Sequence, residues 1–245
     1  PSPLQAGAGV RMQGGTMQNC TVARNRSTST CGGVYRGGGT IVNCIVSDNS
    51  AAIPPNDINL SAGMTYTCSA DLTNGAGNVA AAAQFVDAGS GYGTNLAGGD
   101  FRLHINSPCL DAGTPLAAVT NDLRGASRPQ DGNGDGTNAL DLGAYEMPPA
   151  TGGPLRCDFL ADSRAWSVPF DVVFRAAVAG ATTTGLGYAW DFADDGTNDA
   201  AGPNLRVVTN TYSSIGIYSV RLTVTNAAAE TATVARAGYI TVAPS

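Results

Sequence analysis

The side chains best arranged for chemistry lie between Asp131 and Asp141. Asp131, Asn133 and Asp135 hold the first, third and fifth positions of Asp131-Gly132-Asn133-Gly134-Asp135-Gly136, with glycine sixth. Oxygen-bearing side chains at alternate positions of a tight loop converge on one point, and Ca²⁺ takes six to eight oxygen ligands. The run copies the first half of a calcium-binding loop. Such a loop carries a carboxylate at its twelfth position, which here is Leu142, and the neighbouring Asp141 is the available substitute. The expectation is a calcium site built from Asp131, Asn133, Asp135 and Asp141. The competing reading is an ion-free turn, because Asn, Asp and Gly favour turns on their own account.

Catalytic chemistry is harder to assemble. His104 is the single histidine, and no Ser, Cys or carboxylate stands at a known spacing from it. It reads as a surface or packed residue. Arg24, Arg26 and Arg36 are scattered over one stretch and read as a solvated face. Glycoside hydrolysis needs two carboxylates on either side of a bond, and nothing in the sequence selects a pair. The chain therefore reads as a protein without catalytic activity. The six cysteines follow no C-x2-C metal spacing. Pairing of Cys68 with Cys109 is one possibility that spacing leaves open.

The element that must position these residues is a repeat with a period of 24. Gly14 to Asn25 aligns with Gly38 to Asn49, and seven of the twelve pairs are identical. Gly9-Val10 matches Gly33-Val34, and Cys68 lies another 24 residues beyond Cys44. Each period holds short β-type runs broken by Gly and Asn, without a helical stripe. A repeat of this length signals stacked units that cannot bury their inner face alone. The expected architecture is a parallel β-helix with equivalent residues about 4.8 Å apart. Cys20, Cys44 and Cys68 would stack in one ladder and Asn19 with Asn43 in another. Alternation puts Gln18/Val42, Cys20/Cys44 and Val22/Val46 on the inner face. The alternative is two similar hairpins in an antiparallel sheet.

Composition agrees with a β protein. Glycine is 32 of 245 residues and charged residues are only 13%, which suits turn-rich sheet better than helix. A net charge of −6 argues against a nucleic-acid partner, which needs a basic footprint. No run approaches the roughly 18 apolar residues of a membrane span. Pro1-Ser2-Pro3-Leu4 reads like mid-chain sequence, so a longer polypeptide is expected.

Several short motifs then follow in a recognisable order. They are Thr65-Tyr66-Thr67-Cys68, Phe85-Val86-Asp87, Asp100-Phe101-Arg102-Leu103, Asn106 to Gly113, Asp122-Leu123-Arg124-Gly125, Arg128-Pro129 and Asp141 to Glu146. Residues 5–148 thereby resemble the bacterial "choice-of-anchor Q" proteins. That resemblance implies a right-handed parallel β-helix of the pectate-lyase type, closed at its C-terminal end by these motifs, and an extracellular setting. It implies no activity. Three Asn-x-Ser/Thr matches, at Asn19, Asn25 and Asn59, carry little weight in the bacterial protein this implies.

Residues 149–155 read as a proline-bearing linker. Residues 156–245 show alternating runs at 168–174, 218–224 and 239–242, the pattern of an immunoglobulin-like sandwich. Trp190-Asp191-Phe192-Ala193-Asp194-Asp195-Gly196, with Asn210-Thr211-Tyr212, resembles a PKD domain. The family pattern has Gly where Ala193 stands, one Asp fewer before Gly196, and His in place of Asn210. Those departures put a family-type metal site at Asp194 or Asp195 in doubt.

The combined reading is an all-β protein: a short right-handed parallel β-helix with a C-terminal cap over 1–148, then a PKD-like sandwich over 156–245. The function expected is structural or adhesive, a segment of a bacterial surface that assembles head-to-tail into a layer or filament. Its partners would be copies of itself or further β-helix turns upstream. The alternatives are a polysaccharide-binding module, with Tyr35, Tyr66, Tyr92 and Trp166 as its few aromatics, or the end of a polysaccharide lyase.

Overall fold

A computed structural model describes residues 9–73 and 75–245. The opening run Pro1–Leu4 lies outside the described residues. The chain is all-β, and among the described residues its one helical element is a 3-10 turn at Gly93–Asn95. It divides into two compact units, Pro1–Pro149 and Ala150–Ser245.

The first unit opens with four short strands: β1 (Val10–Met12), β2 (Thr16–Gln18), β3 (Thr21–Ala23) and β4 (Arg26–Thr30). Four more repeat them: β5 (Val34–Arg36), β6 (Thr40–Val42), β7 (Ile45–Ser47) and β8 (Ser50–Ile53). Every strand of the first set pairs in parallel with its counterpart. Val10 faces Val34, Thr16 faces Thr40, Thr21 faces Ile45 and Arg26 faces Ser50. The repeat is thus a stacking register, which a pair of antiparallel hairpins does not give. Gly9 and Gly33 show how closely the turns match. A Cβ on Gly33 would meet Asp57 O, Asn49 Nδ2 and Val46 Cγ1 at 2.6–2.7 Å. On Gly9 it would meet the corresponding Gly33 O, Asn25 Nδ2 and Val22 Cγ1.

The third turn keeps this register only in part. Val34 still pairs with Ile58, but β9 (Met64–Thr65) sets Met64 against Ile41, and Cys68 bridges Ile45. One residue has been lost, so Cys68 leaves the expected ladder. Cys20 and Cys44 do stack, the Cys20 N–H pointing at Cys44 Sγ at 3.4 Å. Cys68 instead packs in the cluster that contains Cys109, and both remain free thiols.

The inner face also differs from simple alternation. Gln18 is exposed, while Met17 and Ile41 pack in the core with Cys20, Cys44, Val22 and Val46. The reason is local. Asn19 and Asn43 take left-handed backbone (φ 49° and 52°), so the chain turns a corner there and parity resets. Asn is among the few residues that tolerate this conformation.

Asn19 and Asn43 stand in stacking register, but their amides do not bond each other, and the hydrogen-bonded side-chain ladder runs elsewhere. Asn25 Nδ2 donates to Asn49 Oδ1 (3.1 Å), and Asn49 Nδ2 donates to Asp57 Oδ1 (2.9 Å). The far edge of the third turn is closed by the loop after Ser69. Asp71 accepts the N–H of Asp57 and Ile58, Asn78 Oδ1 accepts that of Thr67, and Ala76 O accepts that of Tyr66.

The remainder of the unit holds the antiparallel pair β10 (Phe85–Asp87) and β11 (Asp100–Leu103). It then continues as a return segment through Met147. This stretch packs along the flank of β3 and β7 and against Tyr66 and Cys68 of the third turn. Ile45 on the outer side of β7 joins Phe85, Leu103, Cys109 and Leu142 in one cluster. Arg24 Nε donates to Ala88 O (2.7 Å), and Gly143 N–H donates to Asn43 O (2.8 Å). Arg24 and Arg36 are therefore half-buried ties, and of the three arginines only Arg26 is exposed.

The second unit contains β12 (Arg156–Ala161), β13 (Ala165–Ser167), β14 (Phe170–Ala179) and β15 (Gly187–Asp191). It continues with β16 (Ala200–Gly202), β17 (Val207–Tyr212), β18 (Gly216–Thr225) and β19 (Thr231–Ala243). They form a three-stranded sheet, β12-β14-β17, and a five-stranded sheet, β13-β19-β18-β15-β16. Tyr188 and Trp190 alternate inward on β15, and Trp190 meets the Phe159 ring edge-on at 5.4 Å. Ala150 O and Gly153 O accept N–H groups of Gly180 and Ala181, so much of the expected linker is tied into this unit.

Candidate functional site

Asp131, Asn133 and Asp135 come together on one loop of the first unit. Asp131 Oδ1 accepts the Gly134 N–H (2.7 Å) and Oδ2 accepts that of Gly136 (3.0 Å). Asn133 Oδ1 accepts the Asp135 N–H, and Asp135 Oδ1 that of Thr137, both at 2.8 Å. Gly134 and Gly136 have φ of 81° and 90°, which glycine reaches without steric cost. The loop is therefore held by its own side chains, and hard oxygens are concentrated on it.

Asp141 occupies a different place. It is buried, with Oδ1 accepting the Asp111 N–H (2.8 Å) and Oδ2 that of Met147 (2.6 Å). Burial, and next the charge of Glu146, push its pKa up to about 8. It anchors the backbone behind the loop. Asp111, which sequence spacing did not single out, touches the loop directly. Its carboxylate accepts the N–H of Gly132 (3.2 Å) and Asn133 (2.8 Å). Burial, opposed by these bonds, and the charges of Asp131 and Asp135 leave its pKa raised. Among the described residues, no three His, Cys, Asp or Glu side chains gather as a metal cage.

The backbone behind the loop rests on a buried ionic network. Arg128 Nε donates to Glu146 Oε2 (2.9 Å) and Nη2 to Asp141 O (3.0 Å). Glu146 also accepts the N–H of Gln130 and Asp141, while Asp122 Oδ2 accepts that of Glu146. The acidic and basic residues of three sequence motifs thus meet in one place. His104 is packed, with Nδ1 accepting the Asn106 N–H (3.2 Å).

The second unit holds a twin of the loop. Asp191…Asp195-Gly196-Thr197-Asn198 repeats Asp131…Asp135-Gly136-Thr137-Asn138. Asp191 Oδ2 accepts the Gly196 N–H (2.8 Å), and Asp195 Oδ1 that of Thr197 (2.8 Å). Asp194 and Gly196 repeat the left-handed positions, with φ of 52° and 91°. The twin carries Ala193 where the first loop has Asn133, and Asp194 pairs with Arg221. The repeated Asp-Gly-Thr-Asn was the signal in the sequence.

A family model described as PKD domain matches residues 165–237, all within the second unit. No curated protein matches the chain. The sandwich of the second unit is therefore similar to a PKD domain, an immunoglobulin-like fold.

Proposed function

We propose that the protein is a non-catalytic structural or adhesive component of a bacterial surface, working outside the cell. The stacked turns of the first unit are read as the end of a right-handed parallel β-helix of the choice-of-anchor Q kind. One observation carries the assembly part of the proposal. Each of β1 to β4 is paired on one side only among the described residues, and Val10, Met17 and Cys20 are only partly covered there. An open parallel edge is a template for another chain. A contact between unlike surfaces that does not close makes a filament. Copies of this chain, or further turns of the same β-helix, are the partners. PKD domains are common in extracellular adhesive and structural proteins, which supports the setting.

Calcium belongs to the same proposal. The oxygens of Asp131, Asn133 and Asp135 suit a hard cation. Each oxygen of Asp131 accepts one N–H and keeps a lone pair. Asp141 contributes by holding the backbone behind them. A non-catalytic role is favoured because the single histidine and the buried carboxylates are engaged in holding backbone.

Negative-stain electron microscopy with and without EDTA tests both parts. Wild-type protein is expected to form filaments that chelation disperses. Val10→Asp, which puts a charge on the open edge, is expected to leave single particles with an unchanged far-ultraviolet spectrum. Intact filaments from Val10→Asp would refute assembly through this edge. The second reading is a polysaccharide-binding module, favoured by Trp166, which is 68% exposed on the edge strand β13. Retention on a polysaccharide column that Trp166→Ala abolishes would support it.

A further inference from the structure

Cys20 and Cys44 stand in register on successive turns, between the pairs Gln18/Val42 and Thr21/Ile45. The Ile45 N–H donates to Cys20 O (2.9 Å), and the Cys20 N–H points at Cys44 Sγ (3.4 Å). The two thiols also hydrogen-bond each other. Neighbouring strands put such partners about 4.8 Å apart, within the roughly 4.4–6.8 Å between Cα atoms that a disulfide spans. Cys68 does not extend the pair. Its N–H donates to Cys44 O (2.8 Å), and its Sγ is turned to Ala81 O (3.3 Å).

The two sulfurs differ in access. Cys44 is fully buried, whereas Cys20 is half-exposed on the first turn, where the core is only partly covered. Cys31, Cys68 and Cys109 are buried as well, and burial pushes the half-buried Cys157 thiol up to about 12. A hydrogen bond from Cys44 holds Cys20 at about 6, so Cys20 is the thiolate at neutral pH. A disulfide arriving from solvent therefore meets Cys20 first. Cys44 meets only what Cys20 has already bound. An accessible thiolate beside a second, sheltered thiol is the arrangement of an attacking and a resolving cysteine.

We propose that Cys20 and Cys44 form a thiol–disulfide exchange site, with Cys20 attacking and Cys44 resolving. The substrate is a small disulfide, R–S–S–R. The Cys20 thiolate attacks one of its sulfurs, the S–S bond breaks and RS⁻ leaves. The mixed disulfide Cys20–S–S–R remains. Cys44 Sγ then attacks Cys20 Sγ, and its proton goes to the second departing sulfur, which leaves as RSH. Two protein thiols are oxidised, and one disulfide is reduced to two thiols. The product is a covalent bond between the first turn and the second. The inference needs neither the assembly reading nor the calcium reading.

The test incubates the reduced, full-length protein with glutathione disulfide at neutral pH, quenches with acid and maps the peptides by mass spectrometry. Wild-type protein is expected to lose two hydrogens and to yield a linked Cys20–Cys44 peptide without glutathione on either cysteine. The rate should not depend on protein concentration, since the second step is internal to one chain. Cys44→Ala should stop one step earlier and hold one glutathione on Cys20. Cys20→Ala should leave Cys44 reduced. The wild-type result stands on its own however either variant folds. The proposal is overturned if wild-type protein keeps glutathione on Cys20 without forming the link, or if both thiols stay reduced. It is also overturned if Cys20 links to a second copy of the chain in place of Cys44.

Discussion

At the scale of single residues, Cys20 is the group with reactivity of its own. It is partly exposed, and a hydrogen bond from Cys44 lowers its pKa to about 6, while Cys44 itself is raised. A thiol with that pKa is mostly thiolate at neutral pH, and the thiolate is the nucleophile. Iodoacetamide is therefore expected to modify Cys20 ahead of the other five cysteines, with a rate that halves near pH 6. In Cys44→Ala the midpoint should move to about pH 8.5, the ordinary thiol value; mass spectrometry of alkylated peptides over a pH series reads both. The two aspartate loops give a matched pair for calcium. Calorimetric titration should register one ion in wild-type protein, an affinity lower by about tenfold or more in Asp135→Ala, and no change in Asp195→Ala. Asp131, Asn133 and Asp135 were legible in the sequence because their geometry is local to one turn. Asp111 was not, because folding alone brings it to that turn.

At the scale of elements, the repeat was legible because stacking requires the same residue types at the same phase. The inner face was misread at Gln18 because period-two alternation holds only within a strand. Asn19 and Asn43 place a corner between β2 and β3, and between β6 and β7, that resets it. The lost residue in the third turn was illegible for a related reason: Cys68 lies in phase by count and out of phase by pairing. Among the described residues, two buried ion pairs hold elements together, one per unit. Arg128 with Glu146 ties the return segment; Arg236 with Asp158 ties β19 to β12, with Arg236 lying over the rings of Phe159 and Tyr239. Removing one member strands a charge in a poor solvent, typically at a cost of about 3–5 kcal/mol. Glu146→Ala should lower the urea midpoint of the first unit and Arg236→Ala that of the second. Equal loss in both units from either change would contradict the division into two units.

At the scale of the whole molecule, acidity should act on the first unit. Burial raises Asp57 to about 6, against the bonds from Asn49 and with the charges of Asp71 and Asp48 adding to the rise; Asp141 is raised to about 8. Both carboxyls bind their proton more tightly folded than unfolded. Their contribution is complete below pH 4 and is lost as pH rises through 6 and then 8. In calcium-free buffer the first unit should therefore unfold at higher urea at pH 5 than at pH 8, and Asp57→Asn should flatten the part of the curve near pH 6. The stack also has a finished end and an unfinished one. Asp71 and Asn78 occupy amides of the third turn, while among the described residues β1 to β4 keep an unpaired side. In the proposed assembly, docking through the open side uses that side up, and the hydrogen-bonded third turn cannot repeat the same contact. Filament growth on that proposal needs a second, unlike surface, and the exposed Trp166 and Ile217 of the sandwich mark the first one to test.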